Sequence, residues 1–175
     1  MRRDRLFLVG FMGAGKTRLG GLVAEQLGIP LIDTDHRVED AAGLKVAEIF
    51  ARYGETYFRE LEHSCLRRLA EVPRAVVATG GGVFTFPRNR QLIASLGISL
   101  WIDVDFDTIV GRMSERGRLA RPLFQDESRA RALFIRRRVH YREADLKVDV
   151  QPGEAAESAA ARILRSLREE NCVTS

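Results

Sequence analysis

Leu6-Phe7-Leu8-Val9-Gly10-Phe11-Met12-Gly13-Ala14-Gly15-Lys16-Thr17 is the stretch on which the fold turns. Its first four residues are wholly apolar, as a strand buried on both faces requires. Residues 10–17 then fit GxxxxGK[ST], and Leu19, Leu22, Val23 and Leu27 follow at the spacing of a core-packed helix. Strand, glycine loop and helix together predict a phosphate cradle. Successive backbone N–H groups turn inward and the helix N-terminus adds its positive dipole end. The nucleotide-binding candidates are Gly13, Ala14, Gly15, Lys16, Thr17 and the adjoining Arg18. Lys16 suits the β- and γ-phosphates, and the Thr17 hydroxyl suits Mg²⁺. The charged start Met1-Arg2-Arg3 gives the segment some look of a signal peptide, but Lys16 is misplaced for a cleavage region. A buried first strand explains the residues better, and a cytoplasmic protein is expected.

Working outward, short apolar runs alternate with amphipathic stretches, the pattern of an α/β protein with a parallel sheet. Strands are predicted at Leu6–Val9, Pro30–Ile32, Ala75–Ala78, Ile98–Ile102 and Leu146–Val150. Helices are predicted at Lys16–Leu27, Glu55–Ala70, Arg88–Leu96, Phe106–Ser114, Glu127–Tyr141 and Glu154–Arg168. No internal repeat or linker interrupts the 175 residues, so a single domain over 1–175 is expected. Residues 115–126 lack helical periodicity and read as a mobile loop.

Charge is unevenly spread. Residues 112–142 hold ten arginines against three acids, although the whole chain carries a net charge of only +4. A local basic segment implies an anionic ligand. Nucleic acid is the competing partner, but no recognised nucleic-acid motif or aromatic stacking pattern accompanies the arginines. No apolar run approaches the roughly 18 residues of a membrane helix. Cys65 and Cys172 stand apart from any metal-ligand spacing, which leaves neither a disulfide framework nor a structural zinc site.

Asp33-Thr34-Asp35 closes the second predicted strand, on the side where open α/β sheets bind ligands. Asp33 suits an outer-shell role toward Mg²⁺, and Asp35 suits orienting or deprotonating an acceptor hydroxyl. Either could instead cap the helix starting near His36. Gly80-Gly81-Gly82 follows the third strand and exposes backbone to a ligand. Asp103 ends the fourth strand in the manner of a Walker B carboxylate but ranks below Asp33, which has a second carboxylate beside it. Arg59 and Glu62 share a helix face and can pair. On residue types alone, they and Arg136-Arg137-Arg138 would be helix surface. The absence of an NKxD motif argues against a GTPase, the Asp40–Gly43 match to DxxG follows no strand, and the length leaves no room for motor domains. A compact small-molecule kinase remains.

Taken in order, these pieces resemble the shikimate kinase family, within the nucleoside-monophosphate-kinase-like P-loop group. The resemblance runs through the P-loop, Asp33-Thr34-Asp35, Ile49-Phe50, Gly54-Glu55, Phe58-Arg59 with Glu62, the triglycine, Arg121-Pro122-Leu123, and Arg137 four before Tyr141. It implies a three-layer P-loop NTPase fold with a five-stranded parallel sheet of order 2-3-1-4-5, a lid at about 115–126 and an acceptor-binding helical region at about 34–62. It also implies Mg²⁺- and ATP-dependent phosphorylation of the 3-hydroxyl of shikimate. In that family Asp35 would meet the substrate hydroxyls and Arg59 and Arg137 its carboxylate, with Gly81 supplying backbone contact and Gly80 and Gly82 beside it as further substrate-binding candidates. Glu62 would hold Arg59. Arg121 would come down on the phosphates with the lid, and Gln151, Pro152 and Arg116 would lie near adenine. Shikimate and ATP are then the expected partners, with no nucleic acid, no membrane and a monomeric state. A gluconate-type kinase is the same-class alternative and a nucleotide-dependent nucleic-acid-binding protein the other. Two departures stand out: Val139-His140 replaces the family's frequent Pro-Leu, and the lid is poor in glycine and lysine.

Overall fold

The computed structural model describes residues 5–113, 124 and 126–170. Five parallel strands form one sheet in the order β2-β3-β1-β4-β5, as the resemblance implied. They are β1 (Arg5–Val9), β2 (Leu31–Asp33), β3 (Ala75–Ala78), β4 (Ile98–Asp103) and β5 (Leu146–Asp149). Central β1 pairs Leu6 with Val76 of β3 and with Ile98 of β4. Phe7, Leu8 and Val9 are fully buried, as are Val76 and Val77 of β3. That explains why neither strand alternates polar and apolar residues. Both lie inside the sheet with helices over them.

Seven helices are described: α1 (Lys16–Leu27), α2 (Thr34–Ala42), α3 (Val46–Arg68), α4 (Pro87–Leu96), α5 (Phe106–Arg112), α6 (Glu127–Tyr141) and α7 (Ala156–Glu169). The first begins and ends where its pattern predicts, closed by Gly28 in the left-handed conformation. Helix α1 packs against β3 and α7, while α4 lies against β4. Boundaries shift at β2, where Pro30 stays outside the strand but its carbonyl still accepts from Val76 N at 2.9 Å.

The larger difference lies at residues 34–54. Helix α2 was legible only as a start near His36, because Val38 is its one fully buried apolar side chain. Helix α3 was expected from Glu55 and begins nine residues earlier. Gly54 sits inside it at φ 80° and ψ 176°, so two helical segments meet at a kink that a glycine accommodates. The segment after the kink is the predicted one. Together α2 and α3 enclose a second, smaller core of Val38, Ile49 and Phe58, which carries Arg59 on its border. Among the described residues no helix is long and apolar enough to cross a membrane. Of the expected lid, only Phe124 and Asp126 fall within the described residues. Phe124 is buried against Phe11 and Phe106, and Asp126 caps α6.

Candidate active site

The loop between β1 and α1 turns on two glycines with left-handed backbone, Gly13 (φ 82°) and Gly15 (φ 89°). Ala14 is buried between them, its N–H donating to the Phe11 carbonyl at 3.2 Å. Lys16 is buried too, with Nζ donating to the carbonyls of Gly10 and Phe11 at 2.9 and 2.8 Å. Those bonds hold the ammonium over the loop. Arg18 points outward, 3.9 Å from Glu157 on α7.

Asp33 uses its two oxygens differently. Oδ1 accepts from the backbone N–H of Asp35 and His36 and caps α2. Oδ2 accepts from the Thr17 hydroxyl at 2.7 Å. Capping and a place beside the phosphate loop are therefore compatible in one residue. Asp35 does not cap. Its carboxyl is largely buried, and burial, then the neighbouring Asp33 charge, pushes its pKa above the usual carboxylate range.

Gly80-Gly81-Gly82 stands at the centre, and each glycine abuts a different group. A Cβ on Gly80 would lie 2.6 Å from Asp35 Oδ1 and 2.8 Å from Glu62 Oε1. One on Gly81 would meet Met12 N at 3.0 Å and Arg137 Nη1 at 3.5 Å, and one on Gly82 would strike Arg59 Nη1 at 2.7 Å. Sterics, more than backbone conformation, therefore call for three glycines in a row. Their removal of side chains lets carboxylates, phosphate loop and two guanidiniums crowd one small volume.

Arg59 is no surface residue. Its side chain is 11% exposed and its partner Glu62 1%, with Nη1 donating to Glu62 Oε2 at 2.6 Å. Its Nε and Nη2 both donate to Glu55 Oε1, at 3.1 and 2.9 Å. Phe50, Phe58 and Phe86 surround the guanidinium at 5.9, 5.1 and 5.4 Å. Burial raises the Glu62 carboxyl to about 7, against the opposing pull of Arg59. Successive arginines on α6 diverge, because each residue turns about 100° around a helix. Arg136 is exposed, Arg137 turns toward Gly81, and Arg138 donates to buried Asp103 at 2.7 Å. Burial lowers the Arg137 pKa, and its Nη1 is buried without a hydrogen-bond partner among the described residues.

Gln151 follows β5 at the edge. Its carbonyl accepts from Arg112 at 3.1 Å and its N–H donates to Glu154 at 2.9 Å, with Pro152 in the exposed turn beyond. Arg116 and Arg121 lie outside the described residues. The basic segment is in part internally satisfied. Arg129 pairs with Asp126, Arg131 with Asp107 and Glu127, and Arg138 with Asp103. Thr34 and Tyr141 stand in the sequence motifs without a role assigned to them, and Phe86 stands in none. Thr34 accepts from Gly80 N at 2.9 Å, Tyr141 donates to the Gly81 carbonyl at 2.5 Å, and Phe86 flanks Arg59. Their backbone and long-range partners are set by the fold, which residue spacing does not reveal.

A P-loop facing a cleft of carboxylates and guanidiniums defines a compact phosphotransferase that acts on a small acceptor. A family model for shikimate kinase matches residues 12–168, and the chain belongs to the shikimate kinase family. It is 41% identical over 162 residues to a shikimate kinase of Synechococcus elongatus, covering 91% of this chain and 84% of that one. Against a shikimate kinase of Rhizobium leguminosarum bv. trifolii, identity is 42% over 146 residues, covering 82% and 74%. The structure is similar to shikimate kinase from Acinetobacter baumannii in complex with shikimate, with a TM-score of 0.88, 33% identity and coverage of 95% and 94%.

Proposed function

We propose that this chain transfers the γ-phosphoryl group of ATP to the 3-hydroxyl of shikimate. The observation that carries the reading is the convergence of Asp35, Arg59, Arg137 and the P-loop backbone on one triglycine. Such a cleft suits a small polyol acid. Guanidinium forks suit its carboxylate, and the carboxyl of Asp35, with its pKa raised by burial, suits orienting or deprotonating a hydroxyl. Phosphoryl transfer asks mainly for positioning and charge stabilisation. In this reading Gly13 to Arg18 hold the phosphates, Lys16 neutralises their charge, and Arg121 adds a further cation. Gln151, Pro152 and Arg116 are the adenine-side candidates. Residues 34–62 carry the acceptor within a single functional unit, and the lid expected at about 115–126 lies almost wholly outside the described residues. Thr17 Oγ1 and Asp33 Oδ2, 2.7 Å apart, are hard oxygen donors that fit Mg²⁺ directly or through water. Bound there, the ion would supply positive charge that offsets the charge of the phosphates.

The test is coupled ADP release with shikimate, its carboxamide and gluconate as acceptors. Turnover with shikimate, and a drop of 10²–10⁴ in Asp35→Asn at unchanged ATP affinity, is expected. Preference for gluconate would overturn the acceptor assignment. Loss of ATP affinity in Asp35→Asn would reverse the roles of the two aspartates. Salt-dependent nucleic-acid binding without turnover would overturn the kinase reading itself.

A further inference from the structure

The triglycine is not held by its own backbone alone. Three side-chain hydroxyls from three elements pin it. The Thr34 hydroxyl at the start of α2 accepts from Gly80 N at 2.9 Å, Thr85 donates to the Gly82 carbonyl at 2.7 Å, and Tyr141 donates to the Gly81 carbonyl at 2.5 Å. Thr85 is local, three residues away, and belongs to the turn itself. Thr34 comes from the helix that carries Asp35. Tyr141 is the long-range one, separated from Gly81 by 60 positions and reaching it from the last residue of α6.

Tyr141 is 1% exposed, and its ring packs beside Trp101, with centroids 6.1 Å apart. The aromatic body alone would account for that burial. The hydroxyl needs a separate reason, since a buried phenol O–H must find a partner. Its partner is a carbonyl of the acceptor cleft. The same phenol neighbours Arg137, one helical turn earlier, whose guanidinium opposes the rise that burial gives the Tyr141 pKa. Arg137 Nη1 borders the same glycine, 3.5 Å from where a Cβ on Gly81 would stand. Tyr141 thus joins the Gly81 carbonyl, through its hydrogen bond, to the guanidinium beside that glycine. A trans peptide points its N–H opposite its C=O. Fixing the Gly81 carbonyl therefore also fixes where the Gly82 N–H points.

We propose that Tyr141 is a positioning residue for the acceptor: by tying the end of α6 to the Gly81 carbonyl, its hydroxyl holds Arg137 at the distance from the triglycine that a bound carboxylate requires. This rests on the acceptor reading above, in which Arg137 meets the carboxylate. Arg137 then keeps one buried donor, Nη1, without a hydrogen-bond partner among the described residues. The phenol and the Phe11 ring, 5.9 Å away, flank the guanidinium and leave that donor to the ligand. The proposal also gives Tyr141 a task distinct from core packing, which phenylalanine could perform equally well.

The variant is Tyr141→Phe, which keeps the ring and removes one oxygen. Loss of a single neutral hydrogen bond corresponds to about two- to thirteenfold in an equilibrium constant. Calorimetry should therefore show shikimate binding weakened by about that factor, with ATP affinity unchanged and shikimate carboxamide affinity moved much less. A double-mutant cycle with Arg137→Ala supplies the decisive comparison. In the Arg137→Ala background, Tyr141→Phe should cost no further shikimate affinity. A role confined to stability would lower the melting temperature and leave the acid-to-amide ratio intact, which overturns the proposal. Additive losses in the cycle overturn it as well. If Arg137→Ala weakens the acid selectively while Tyr141→Phe does not, the inference fails and the acceptor reading stands. If neither variant separates acid from amide, both fall. Should Tyr141→Phe fail to fold, 3-fluorotyrosine placed at 141 retains the bond and makes the phenol a stronger donor. Shikimate affinity must then change at constant ATP affinity, and no change overturns the proposal.

Discussion

Glu62 shows how one buried carboxyl can link stability to binding with opposite signs. Burial raises its pKa from 4.5 to about 7, so the native state holds its proton more tightly than the unfolded chain does. The stability it contributes is complete below about pH 4.5 and is lost as pH climbs through about 7. Asp35, raised by burial and by Asp33, adds to the same trend. Binding runs the other way. Only ionised Glu62 forms the charged pair with Arg59, and in the proposed reading Arg59 meets the acceptor carboxylate, so the KM for shikimate should fall as pH rises toward 8. In Glu62→Gln the stability profile between pH 5 and 8 should flatten, and the KM should become high and nearly pH-independent. Urea melts and acceptor titrations across that range check both. A Glu62→Gln enzyme that keeps the parent's KM profile would remove Glu62 from the control of Arg59. The sequence spacing offered Arg59 and Glu62 as a surface pair at i,i+3, where such contacts contribute little. What spacing could not convey is that Phe50, Phe58 and Phe86 enclose them, since two of the rings come from separate segments.

At the scale of elements, legibility followed buried core in the central strands and in α1. Helix α1 and strands β1, β3 and β4 were read within a residue or two because buried apolar side chains fill them. Helix α2 offers Val38, and α3 is broken by Gly54, so the region proposed to carry the acceptor was seen only in part. Polar residues there displace the apolar pattern by which a helix is recognised in a sequence. The triglycine stands out in the sequence as a loop that exposes backbone, but not as a place where each glycine abuts a different neighbour. Gly80→Ala tests one of those contacts. Its new Cβ would press on Asp35 Oδ1 and Glu62 Oε1, both of them ends of side chains that can shift. Stability should change by only about 1 kcal/mol. Turnover should fall by about tenfold to a hundredfold, since displacing a catalytic group by about 1 Å costs that much. Circular dichroism melts with steady-state kinetics separate the two effects. A variant of normal turnover would show that Asp35 has room to spare.

Across the whole molecule, the distribution of charge divides chemistry from architecture. The strand ends β2 and β4 each deliver an aspartate to the ligand side of the sheet, and the sequence alone left their ranking to the company each keeps. Asp33 turns an oxygen to Thr17. Asp103 is 6% exposed and is consumed by Arg138 at 2.7 Å and Lys147 at 3.1 Å, both stacked over Trp101. It therefore joins β4, β5 and α6, and part of the conspicuous arginine excess of residues 112–142 serves this kind of internal pairing. Asp103→Asn retains the shape and removes the charge. Breaking a fully buried pair costs about 3–5 kcal/mol. Here Arg138 and Lys147 are 36% and 44% exposed, so water replaces much of the lost interaction and about 1–2 kcal/mol is expected. For a chain of this size that corresponds to a fall of roughly 2–8 °C in melting temperature. Turnover at saturating ATP and the Mg²⁺ concentration for half-maximal rate should match the parent, because neither partner of Asp103 belongs to the phosphate loop. Asp33→Asn should do the reverse, raising the Mg²⁺ requirement strongly while α2 keeps its cap through the remaining amide oxygen. If Asp103→Asn is the variant whose Mg²⁺ requirement moves, the carboxylate beside the phosphates is the one on β4, and the Thr17–Asp33 contact is only a helix cap reaching sideways.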